Sequence, residues 1–527
     1  MPPMTNIADF YGTDSFYYVL AAVLGLVVLI LIQRKFRAPK LPPGPLAWPL
    51  IGNLPLMGPL PHQSLLRLKK KYGPLMFMQL GSVPTIVVQG PDMAKEVLRT
   101  QDHIFASRPD TVTGELFFYN RQDLLFAPLG PTFRLLRKTC VNSLFTPLRV
   151  QEFQGVRKEM LTAFLTKLLQ EGRGGQPVQV DHKITEMNFN NVSKILYGKS
   201  YYGLKTTNAD GSIHAREFHE IADEWARVAG SVIVGDYLPW LRKLDIGGCE
   251  AHLLRLREEF NKFLTGVIEE HKRNSAAGGK GSRKEDFVDV LLSLHADEDG
   301  NTLSETQVKA FLQDLTLGGI DSSAAQMQWT LVELLRHPEV RHKVQQELDS
   351  VIGKDRMVEE ADIVRLPYFR AMMKESFRLH PAVPFLAPHE NTQATKISGY
   401  DIPANTRLLV NVYAIHRDPE VWEDPLKFNP ERFMNRHQGL KGEDFKFLPF
   451  GSGRRMCPGM DYAMLVVEWT LAQLLHTCDL DVPEGMKPMD IDVGETFGVT
   501  LSTTSPLRIV ISPRLPSEVY AKAGIVL

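Results

Sequence analysis

The decapeptide Phe450–Gly459 constrains this chain more than any other segment. It has two glycines ahead of Cys457 and a Pro-Gly pair directly after it. This sequence predicts a tight loop that presents one sulfur, since glycine adopts backbone conformations that other residues avoid. A helical pattern follows from Met460 to His476, and a helix N-terminus beside a cysteine favours its thiolate form. We therefore expect Cys457 to serve as a thiolate.

Three further cysteines, Cys140, Cys249 and Cys478, have no such surroundings. The chain contains no C-x-x-C pair, and 4 cysteines in 527 residues are too few for a disulfide framework. A lone cysteine is usually a small buried hydrophobic residue, and we expect this of all three. The cysteine content favours a reducing compartment.

The charge balance bears on the partners of the protein. The chain has 60 basic and 61 acidic residues, and 44% of its residues are hydrophobic. So even a balance gives no reason to expect a nucleic-acid partner. The hydrophobic content and the length are sufficient for one large buried core.

The N-terminal segment predicts a membrane anchor. Residues Phe16–Ile32 carry no charge, and their number is at the short end for a helix that spans a bilayer. A cleaved signal peptide is the alternative, but it needs basic residues before the apolar run. Here Asp9 and Asp14 precede the run, and a basic cluster from Arg34 to Lys40 follows it. By the positive-inside rule, residues 1–40 form a retained anchor and the rest of the chain is cytosolic.

The remainder of the chain has a mostly helical pattern. A proline-rich hinge, Leu41–Pro45, comes first, and short strands are predicted at Leu75–Leu80 and Thr85–Val88. The polar stretch Asn274–Lys284 predicts a surface loop, because helical patterns resume on both sides of it. We expect one catalytic domain over residues 41–527, mainly α with a small β-rich part.

The most informative helix begins after that loop. Ser304 and Gln307 fit a capping box, and the helical pattern continues to about His337. Its middle contains Gly318 and Gly319, which cost about 1 kcal/mol each against alanine. Two explanations are open: the glycines allow close helix packing, or they mark a distortion that makes room for a ligand.

The decapeptide closely resembles the haem-binding loop of the cytochromes P-450, F-x-x-G-x-R-x-C-x-G. The defining positions match Phe450, Gly453, Arg455, Cys457 and Gly459. The resemblance extends over nearly the whole chain and implies the cytochrome P-450 fold. It also implies haem b as the cofactor, with Cys457 as the axial thiolate of its iron.

Two further motifs match the family's structural E-x-x-R and P-E-R-F. Glu375 and Arg378 lie three apart and share one helical face, which alone is a weak signal. In the family this pair is buried and is completed by a later arginine, which corresponds to Arg432. The implied role is to lock the loop that carries the cysteine.

The segment Gly318–Ser323 is similar to the family's oxygen-activation motif, A/G-G-x-D/E-T-T/S. Asp321 and Ser322 are the catalytic residues that this resemblance implies, an acid and a hydroxyl that deliver protons to bound dioxygen. Ser322 stands where threonine is usual, so the hydroxyl is kept and a methyl group is lost.

A fourth motif concerns the haem propionates. Phe133–Lys138 is similar to the family's W-x-x-x-R, with Arg137 matching and Phe133 in place of tryptophan, so that only packing is expected of it. Arg134 and Lys138 lie on another face, which is a solvated surface by default or a docking face for an acidic reductase. The complete haem-binding set is Cys457, Arg137, Arg455, His389, Phe450, Gly451 and Gly459.

The resemblance also implies a substrate pocket lined by apolar and aromatic side chains. The pocket residues are Phe117, Phe118, Leu315, Phe385, Leu386, Phe497 and Val499. Such a lining favours a hydrophobic or flat aromatic substrate, although these residues could equally fill the core.

The closing region of the chain is similar to plant microsomal enzymes that hydroxylate phenylpropanoid esters and flavonoids. We therefore expect an endoplasmic-reticulum enzyme that is held in the lipid and hydroxylates an aromatic substrate. Its oxidant is O₂, and its electrons come from NADPH through NADPH-cytochrome P-450 reductase. The alternatives are in-chain hydroxylation of a fatty acid or terpenoid, and a haem-thiolate isomerase or dehydratase that uses no O₂.

Overall fold

The structure is a computed structural model that describes residues 39–202, 205–207, 213–276, 285–294, 302–434 and 439–527. The predicted anchor helix at residues 16–32 lies outside these ranges. Among the residues described, no helix has both the length and the apolar composition needed to cross a membrane.

Helices make up most of the described chain. In chain order they are α1 Pro61–Tyr72, α2 Pro91–Lys95, α3 Asp102–Phe105, α4 Val112–Leu116, α5 Pro131–Thr139, α6 Pro147–Glu152, α7 Gln154–Glu171, α8 Val180–Tyr197, α9 Phe218–Ala229, α10 Cys249–Ala276, α11 Phe287–Ser293, α12 Glu305–Arg336, α13 Pro338–Ile352, α14 Pro367–Leu379, α15 Val412–Ile415, α16 Glu431–Met434, α17 Met460–Thr477 and α18 Ser517–Lys522. Two π-helical turns, Glu96–Thr100 and Cys140–Leu144, extend α2 and α5.

The strands form several small sheets. They are β1 Leu75–Leu80, β2 Val83–Val88, β3 Val178–Gln179, β4 Lys205–Thr207, β5 Ile213–Glu217, β6 His389–Glu390, β7 Thr395–Ile397, β8 Tyr400–Ile402, β9 Arg407–Val410, β10 Cys478–Asp481, β11 Glu495–Phe497, β12 Leu501–Thr503 and β13 Arg508–Pro513. The largest sheet has the order β1-β2-β9-β6, in which only the β2–β9 pair is parallel. A second sheet has the order β10-β13-β3.

Helix α12 joins two hydrophobic cores. Its first half, from Val308 to Ile320, packs into a core formed with α5, α8, α9, α10 and α11. Its second half, from Ala324 to Leu335, packs into a core formed with α7, α13, α14 and α17. Residues 321–323 fall at the junction of the two cores and belong to neither. With 32 residues the helix is roughly 48 Å long, so it can reach across a large domain.

Most of the predicted elements are confirmed, with shifted ends. Ser304 and Gln307 form the predicted capping box, and α12 ends at Arg336, one residue before the expected end. Strand β2 begins two residues earlier than expected, at Val83. The polar loop was predicted to begin at Asn274, but α10 continues to Ala276, and residues 277–284 lie outside the described residues.

Candidate active site

The loop that carries Cys457 depends on its glycines. Gly451 and Gly453 both have φ of +72°, a conformation that L side chains rarely adopt. A Cβ at Gly453 would also lie 2.3 Å from the carbonyl oxygen of Leu98, which is impossible without moving the backbone. The loop closes through the amide of Cys457, which donates to the carbonyl of Phe450 at 3.0 Å. The predicted tight loop is therefore present.

The surroundings of Cys457 act on its thiol in opposite directions. The side chain is half-buried, and desolvation raises the pKa of its thiol. A hydrogen bond from the amide of Gly459 and the charge of Arg137 favour the thiolate and partly offset this effect. A bound metal ion takes the place of the proton, so a thiol of this kind is held as a thiolate by its metal.

The remaining cysteines differ from one another. Cys140 and Cys478 are buried, as predicted, and burial raises the pKa of each thiol to about 12. The prediction for Cys249 is wrong, because this side chain is partly exposed at the start of α10.

A buried ion-pair network stands beside the cysteine loop. The Glu375 carboxylate accepts from Arg378 through Nε at 2.7 Å and Nη2 at 2.8 Å, and all three charged side chains of the network are almost fully buried. Arg432 Nε donates to Glu375 Oε1 at 2.9 Å. The predicted pairing of Glu375 with both arginines is confirmed.

A histidine links this network to the cysteine loop. Arg378 Nη1 donates to the carbonyl of His416 at 2.7 Å, and His416 Nε2 accepts from the amide of Leu448 at 2.8 Å. Burial and the charge of Arg378 hold the pKa of His416 well below its usual value, so its ring is neutral and Nε2 can accept. Leu448 lies two residues before Phe450, so the position of the loop is tied to the network.

Buried cations collect on the other side of the loop. Arg108 is 6% exposed, and its guanidinium donates to the carbonyls of Leu125, Ala387 and Pro388. Arg455 similarly donates to backbone carbonyls, those of residues 106, 124 and 127. In the described part of the chain, the hydrogen bonds of both guanidinium groups go to neutral carbonyls, and neither is ion-paired with a carboxylate.

The proximity of these charges is visible in their pKa values. Burial and the charge of Arg137 lower the pKa of Arg455 to about 10, and the charge of Arg455 helps to lower the pKa of Arg108. His389 is also buried here and donates from Nδ1 to the carbonyl of Phe105 at 2.9 Å. Desolvation and the two neighbouring arginines keep His389 neutral by holding its pKa well below the usual value.

This cluster fits the two carboxylates of a haem. Buried guanidinium groups without carboxylate partners are costly, and an anionic group of a ligand would supply the missing charge. The predicted propionate residues Arg137, Arg455 and His389 are brought together, while Arg137 itself donates to the carbonyl of Met456 at 2.7 Å. Together with an accessible cysteine sulfur, the residues present suit a haem-thiolate centre.

The sequence did not predict the roles of two residues in this region. Arg108 matches none of the recognised motifs, and an isolated arginine before a proline has the pattern of a surface residue. Phe133 was expected to contribute packing alone, but the Arg455 guanidinium carbon lies 3.7 Å from the centre of its ring. The ring therefore replaces the absent tryptophan N–H with a cation–π contact that orients Arg455.

The two central glycines of α12 have different surroundings, and α12 runs through them as one continuous helix. Gly318 is exposed in the middle of a buried helix, and a Cβ there would meet nothing within 4 Å. It therefore faces open space. Gly319 faces α8, where a Cβ would lie 3.4 Å from Val192 Cγ2. Gly318 thus has open space beside it and Gly319 lies against α8, while the expected distortion of the helix is not present.

Asp321 and Ser322 lie on the next turn of α12. Burial and the negative charge of Asp223 raise the pKa of Asp321 to about 7. Ser322 Oγ donates to the carbonyl of Gly318 at 2.8 Å. The acid can therefore exchange a proton near neutral pH, and the hydroxyl lies over the open space beside Gly318.

A second buried acid pair joins α12 to the loop after α4. Asp314 Oδ2 accepts from the amides of Leu124 and Leu125 at 2.6 and 3.1 Å, and Asp123 Oδ2 accepts from the amide of Phe126 at 2.8 Å. Burial raises the pKa of Asp123 to about 7, and burial with the charge of Asp123 raises that of Asp314. Like charges this close favour one shared proton.

The predicted pocket residues do not form a single set. Phe117 and Phe118 are 0% and 1% exposed, and they pack in an aromatic cluster with Trp225 and Phe260. Their assignment to the pocket is therefore wrong for this structure, because they have no free surface. Five others remain half-buried and retain surface for a ligand: Leu315, Phe385, Leu386, Phe497 and Val499.

Part of this smaller set lies against the cysteine loop. Leu386 Cδ2 is 3.4 Å from the position of a Cβ on Gly451, and the rings of Phe385 and Phe497 pack edge to face at 6.1 Å. Phe450 packs behind the loop on Phe377, with ring centres 5.4 Å apart. On the surface of α5, Arg134 and Lys138 are exposed.

These features define a haem-thiolate protein: the helical fold, the cysteine in its glycine-containing loop, and the arginines that have no carboxylate partner. The family model described as Cytochrome P450 matches residues 42–509. The chain therefore belongs to the cytochrome P450 family. A zebra fish cytochrome P450 solved with abiraterone has a TM-score of 0.70 and 25% identity, covering 86% of this chain and 100% of that chain.

Plant relatives are more similar in sequence. Flavonoid 3'-monooxygenase from Petunia hybrida is 37% identical over 511 residues, which cover 96% of this chain and 98% of that protein. Cytochrome P450 703A2 from Oryza sativa subsp. japonica is 38% identical over 522 residues, covering 96% of this chain and 99% of its own. The protein is thus a P450 monooxygenase that uses a thiolate-ligated haem and NADPH-derived electrons from a reductase.

The ion-pair network should be essential for a stable haem loop. Glu375→Gln removes the charge that compensates Arg378 and Arg432 in a fully buried place, so the free energy of unfolding should fall by about 3–5 kcal/mol. Chemical denaturation measures this, and the reduced carbon monoxide spectrum reports retention of the thiolate ligand. Glu431→Gln, at the exposed end of the same P-E-R-F segment, is the control. Equal stability of the two variants would contradict the role of the network.

The acid pair predicts a pH-dependent stability. The unfolded pKa of an aspartate is about 3.9, whereas that of folded Asp123 is about 7, so the folded state holds the proton more tightly. Stability is then lost as the pH rises from about 4 to about 7, because the folded state must ionise a buried acid. Asp123→Asn stays neutral and should gain stability over the wild type, by on the order of 1–3 kcal/mol, between about pH 5 and about pH 8.

Melting temperatures of the two proteins across this pH range would test the prediction. A constant difference between wild type and Asp123→Asn at all pH values would mean that the pair carries no titrating proton.

Proposed function

We propose that this monooxygenase hydroxylates an aromatic ring of a phenolic, flavonoid-like substrate. The observation that carries the proposal is the full-length match to proteins named flavonoid 3'-monooxygenase and flavonoid 3',5'-hydroxylase. The half-buried lining agrees with it, because Phe385, Phe497 and the aliphatic Leu315, Leu386 and Val499 offer flat apolar surfaces.

A second candidate is hydroxylation within the chain of a fatty acid, or of a terpenoid. Proteins named Cytochrome P450 703A2 match this chain at 38% and 36% identity, the same level as the flavonoid enzymes, and that name specifies no flavonoid. The apolar lining suits either substrate class. The isomerase or dehydratase alternative is disfavoured, since Asp321 and Ser322 retain the acid and the hydroxyl that dioxygen activation requires.

The chain's own residues have distinct roles in the proposed reaction. The haem, when bound, supplies dioxygen binding and the redox chemistry of its iron. Cys457 is its ligand, and Arg108, Arg137 and Arg455 neutralise its propionates. Leu386 and its apolar neighbours hold the substrate and exclude water, which prevents wasteful loss of reduced oxygen.

Proton delivery is assigned to Asp321 and Ser322. Because burial raises its pKa to about 7, the Asp321 carboxyl can both hold and release a proton near neutral pH. The Ser322 hydroxyl lies one turn above Gly318 and passes the proton across the open space. Without the methyl group of a threonine, its χ1 rotation is freer, which loosens the geometry of this step.

We also assign the protein to the endoplasmic-reticulum membrane, with its catalytic domain in the cytosol. Leu46 and Trp48 of the segment after the hinge are exposed, as are Trp240 and Leu244 of the loop after α9. The two segments are neighbours across the β1–β2 turn, which hydrogen-bonds to both Ile51 and Tyr237. Their exposed apolar side chains are consistent with contact to lipid. The exposed Arg134 and Lys138 are candidate contacts for an acidic NADPH-cytochrome P450 reductase.

Loss of the serine hydroxyl should uncouple the enzyme. Ser322→Ala is expected to lower the product formed per NADPH consumed by roughly tenfold and to release more hydrogen peroxide, since a positioned proton-transfer group contributes about 10²–10⁴-fold to its own step. Ser322→Thr should keep or improve the ratio. Full product yield in Ser322→Ala would remove Ser322 from proton delivery.

The substrate proposal is tested with the full chain in microsomes together with a plant reductase. We expect NADPH-dependent hydroxylation of flavonoids, a Soret band of the reduced carbon monoxide complex characteristic of thiolate ligation, and retention of the protein in the membrane pellet after a carbonate wash. Medium-chain fatty acids and terpenoids are assayed in parallel. Turnover of a fatty acid or terpenoid without turnover of any flavonoid would favour the second candidate.

A further inference from the structure

A buried amide from α8 binds the backbone of α12 just before the two proposed proton donors. Asn188 is 1% exposed. Its Nδ2 donates to the carbonyl oxygens of Gly319 at 3.0 Å and Ile320 at 2.6 Å. Both hydrogens of one amide group are thus used on two consecutive peptide groups of the same helix.

This contact is possible because the two helices approach closely. Val192, one turn after Asn188 on α8, lies 3.4 Å from the position of a Cβ on Gly319. A Cβ at this distance is in ordinary van der Waals contact, so alanine would fit at position 319 and only a longer side chain would press against α8. Val192 and Asn188 thus pack against the same turn of α12.

The two hydrogen bonds act on the peptide groups that precede the acid. In a regular α-helix, the carbonyls of residues 319 and 320 accept only from the amides four residues later. A side-chain donor competes for these carbonyls and draws them towards α8, which is a recognised cause of local helix distortion. Since the Ile320 carbonyl belongs to the peptide that ends at Asp321, Asn188 restrains the backbone directly before Asp321.

Polar residues fill the turn of α12 that follows these carbonyls. Residues 321–323 are an aspartate and two serines, and the two hydrophobic cores reach this turn through Ile320 and Ala324 on either side of it. Ser322 Oγ bonds within α12, to Gly318, and so moves with the helix. Within the described residues, Asn188 is the side chain from another element that hydrogen-bonds to the α12 backbone at this junction.

We propose that Asn188 is a positioning residue of the monooxygenase reaction, which holds the α12 backbone so that Asp321 and Ser322 stay aligned for proton delivery. It contacts neither substrate nor haem and acts through Asp321. The proposal rests on the proton-delivery role given to Asp321 and Ser322 above. Loss of Asn188 lets this turn of α12 shift, so protons arrive less reliably and reducing equivalents are lost as hydrogen peroxide.

The test compares Asn188→Leu with a matched control on the same helix. Asn191 is equally buried, at 1% exposure, but its amide donates to the hydroxyl of Tyr462 on α17 at 2.9 Å. Asn191→Leu therefore removes a buried amide of the same type without touching α12. Asn188→Ser, which is too short to bridge both carbonyls, is the second variant if Asn188→Leu folds poorly.

We expect Asn188→Leu and Asn188→Ser to lower product per NADPH by roughly 3- to 10-fold, the effect of one to two lost hydrogen bonds, with the thiolate spectrum retained. Asn191→Leu should keep the wild-type ratio. Amide hydrogen exchange, measured also on the haem-free protein, should accelerate in peptides covering residues 318–325 of the Asn188 variants but not in residues 327–335. Unchanged exchange in residues 318–325, or an equal loss of coupling in Asn191→Leu, would overturn the proposal.

A double variant distinguishes the positioning role of Asn188 from the proton-delivery role of Asp321, on which it rests. If Asn188 acts through Asp321, adding Asn188→Leu to Asp321→Asn should cause little further loss of coupling. If the two losses multiply, the positioning role is wrong. If Asp321→Asn alone keeps wild-type coupling, the proton-delivery role fails, and the role of Asn188 fails with it. If Asp321→Asn uncouples and the Asn188 variants do not, the positioning role alone is rejected.

Discussion

The fully buried carboxylate of Glu375 is the interaction on which the site depends. It holds Arg378 and Arg432, and these guanidinium groups in turn bind backbone carbonyls of the segment between α15 and α16. Through His416 the same segment reaches the amide of Leu448 and so the cysteine loop. A buried ion pair of this kind adds little net stability over an apolar substitute, but it is very costly to break. Its value here is geometric, because it fixes irregular chain that has no sheet or helix to hold it.

On the opposite side of the loop, positive charge is left without a compensating carboxylate. Arg108 is buried and Arg455 is half-buried, both with backbone carbonyls as their hydrogen-bond partners, and the neighbouring acids Asp123 and Asp314 tend to keep a proton. The polypeptide alone thus leaves positive charge in its interior. A dianionic cofactor completes the electrostatics, so cofactor binding and folding of this region are energetically linked. The charged residues of this region are therefore complementary to the haem, not to other residues of the chain.

Motifs with strict local geometry could be predicted from the sequence. The cysteine loop, the capping box of α12 and the pairing of Glu375 with Arg378 depend on residues close in the chain, and each is present. The predictions that were wrong, and the residues that were missed, depend on packing between segments far apart in the sequence. The same apolar residue can line a pocket or fill a core, and Phe117 and Phe118 do the second because α9 and α10 cover them. Arg108 and Asn188 carry no local signal, since their partners lie far away in sequence, at residues 387–388 and 319–320.

The junction of the two cores on α12 has a consequence for how the enzyme can change. Ser322 is partly exposed, and a Cβ at Gly318, one turn before it, would meet nothing within 4 Å, so a methyl group gained or lost at position 322 creates neither a cavity nor overpacking. Ser322 in place of the usual threonine is a difference of this kind. The hydroxyl at this position can therefore change between serine and threonine with little effect on fold stability, whereas Ser323 beside it is buried and Asp321 is desolvated.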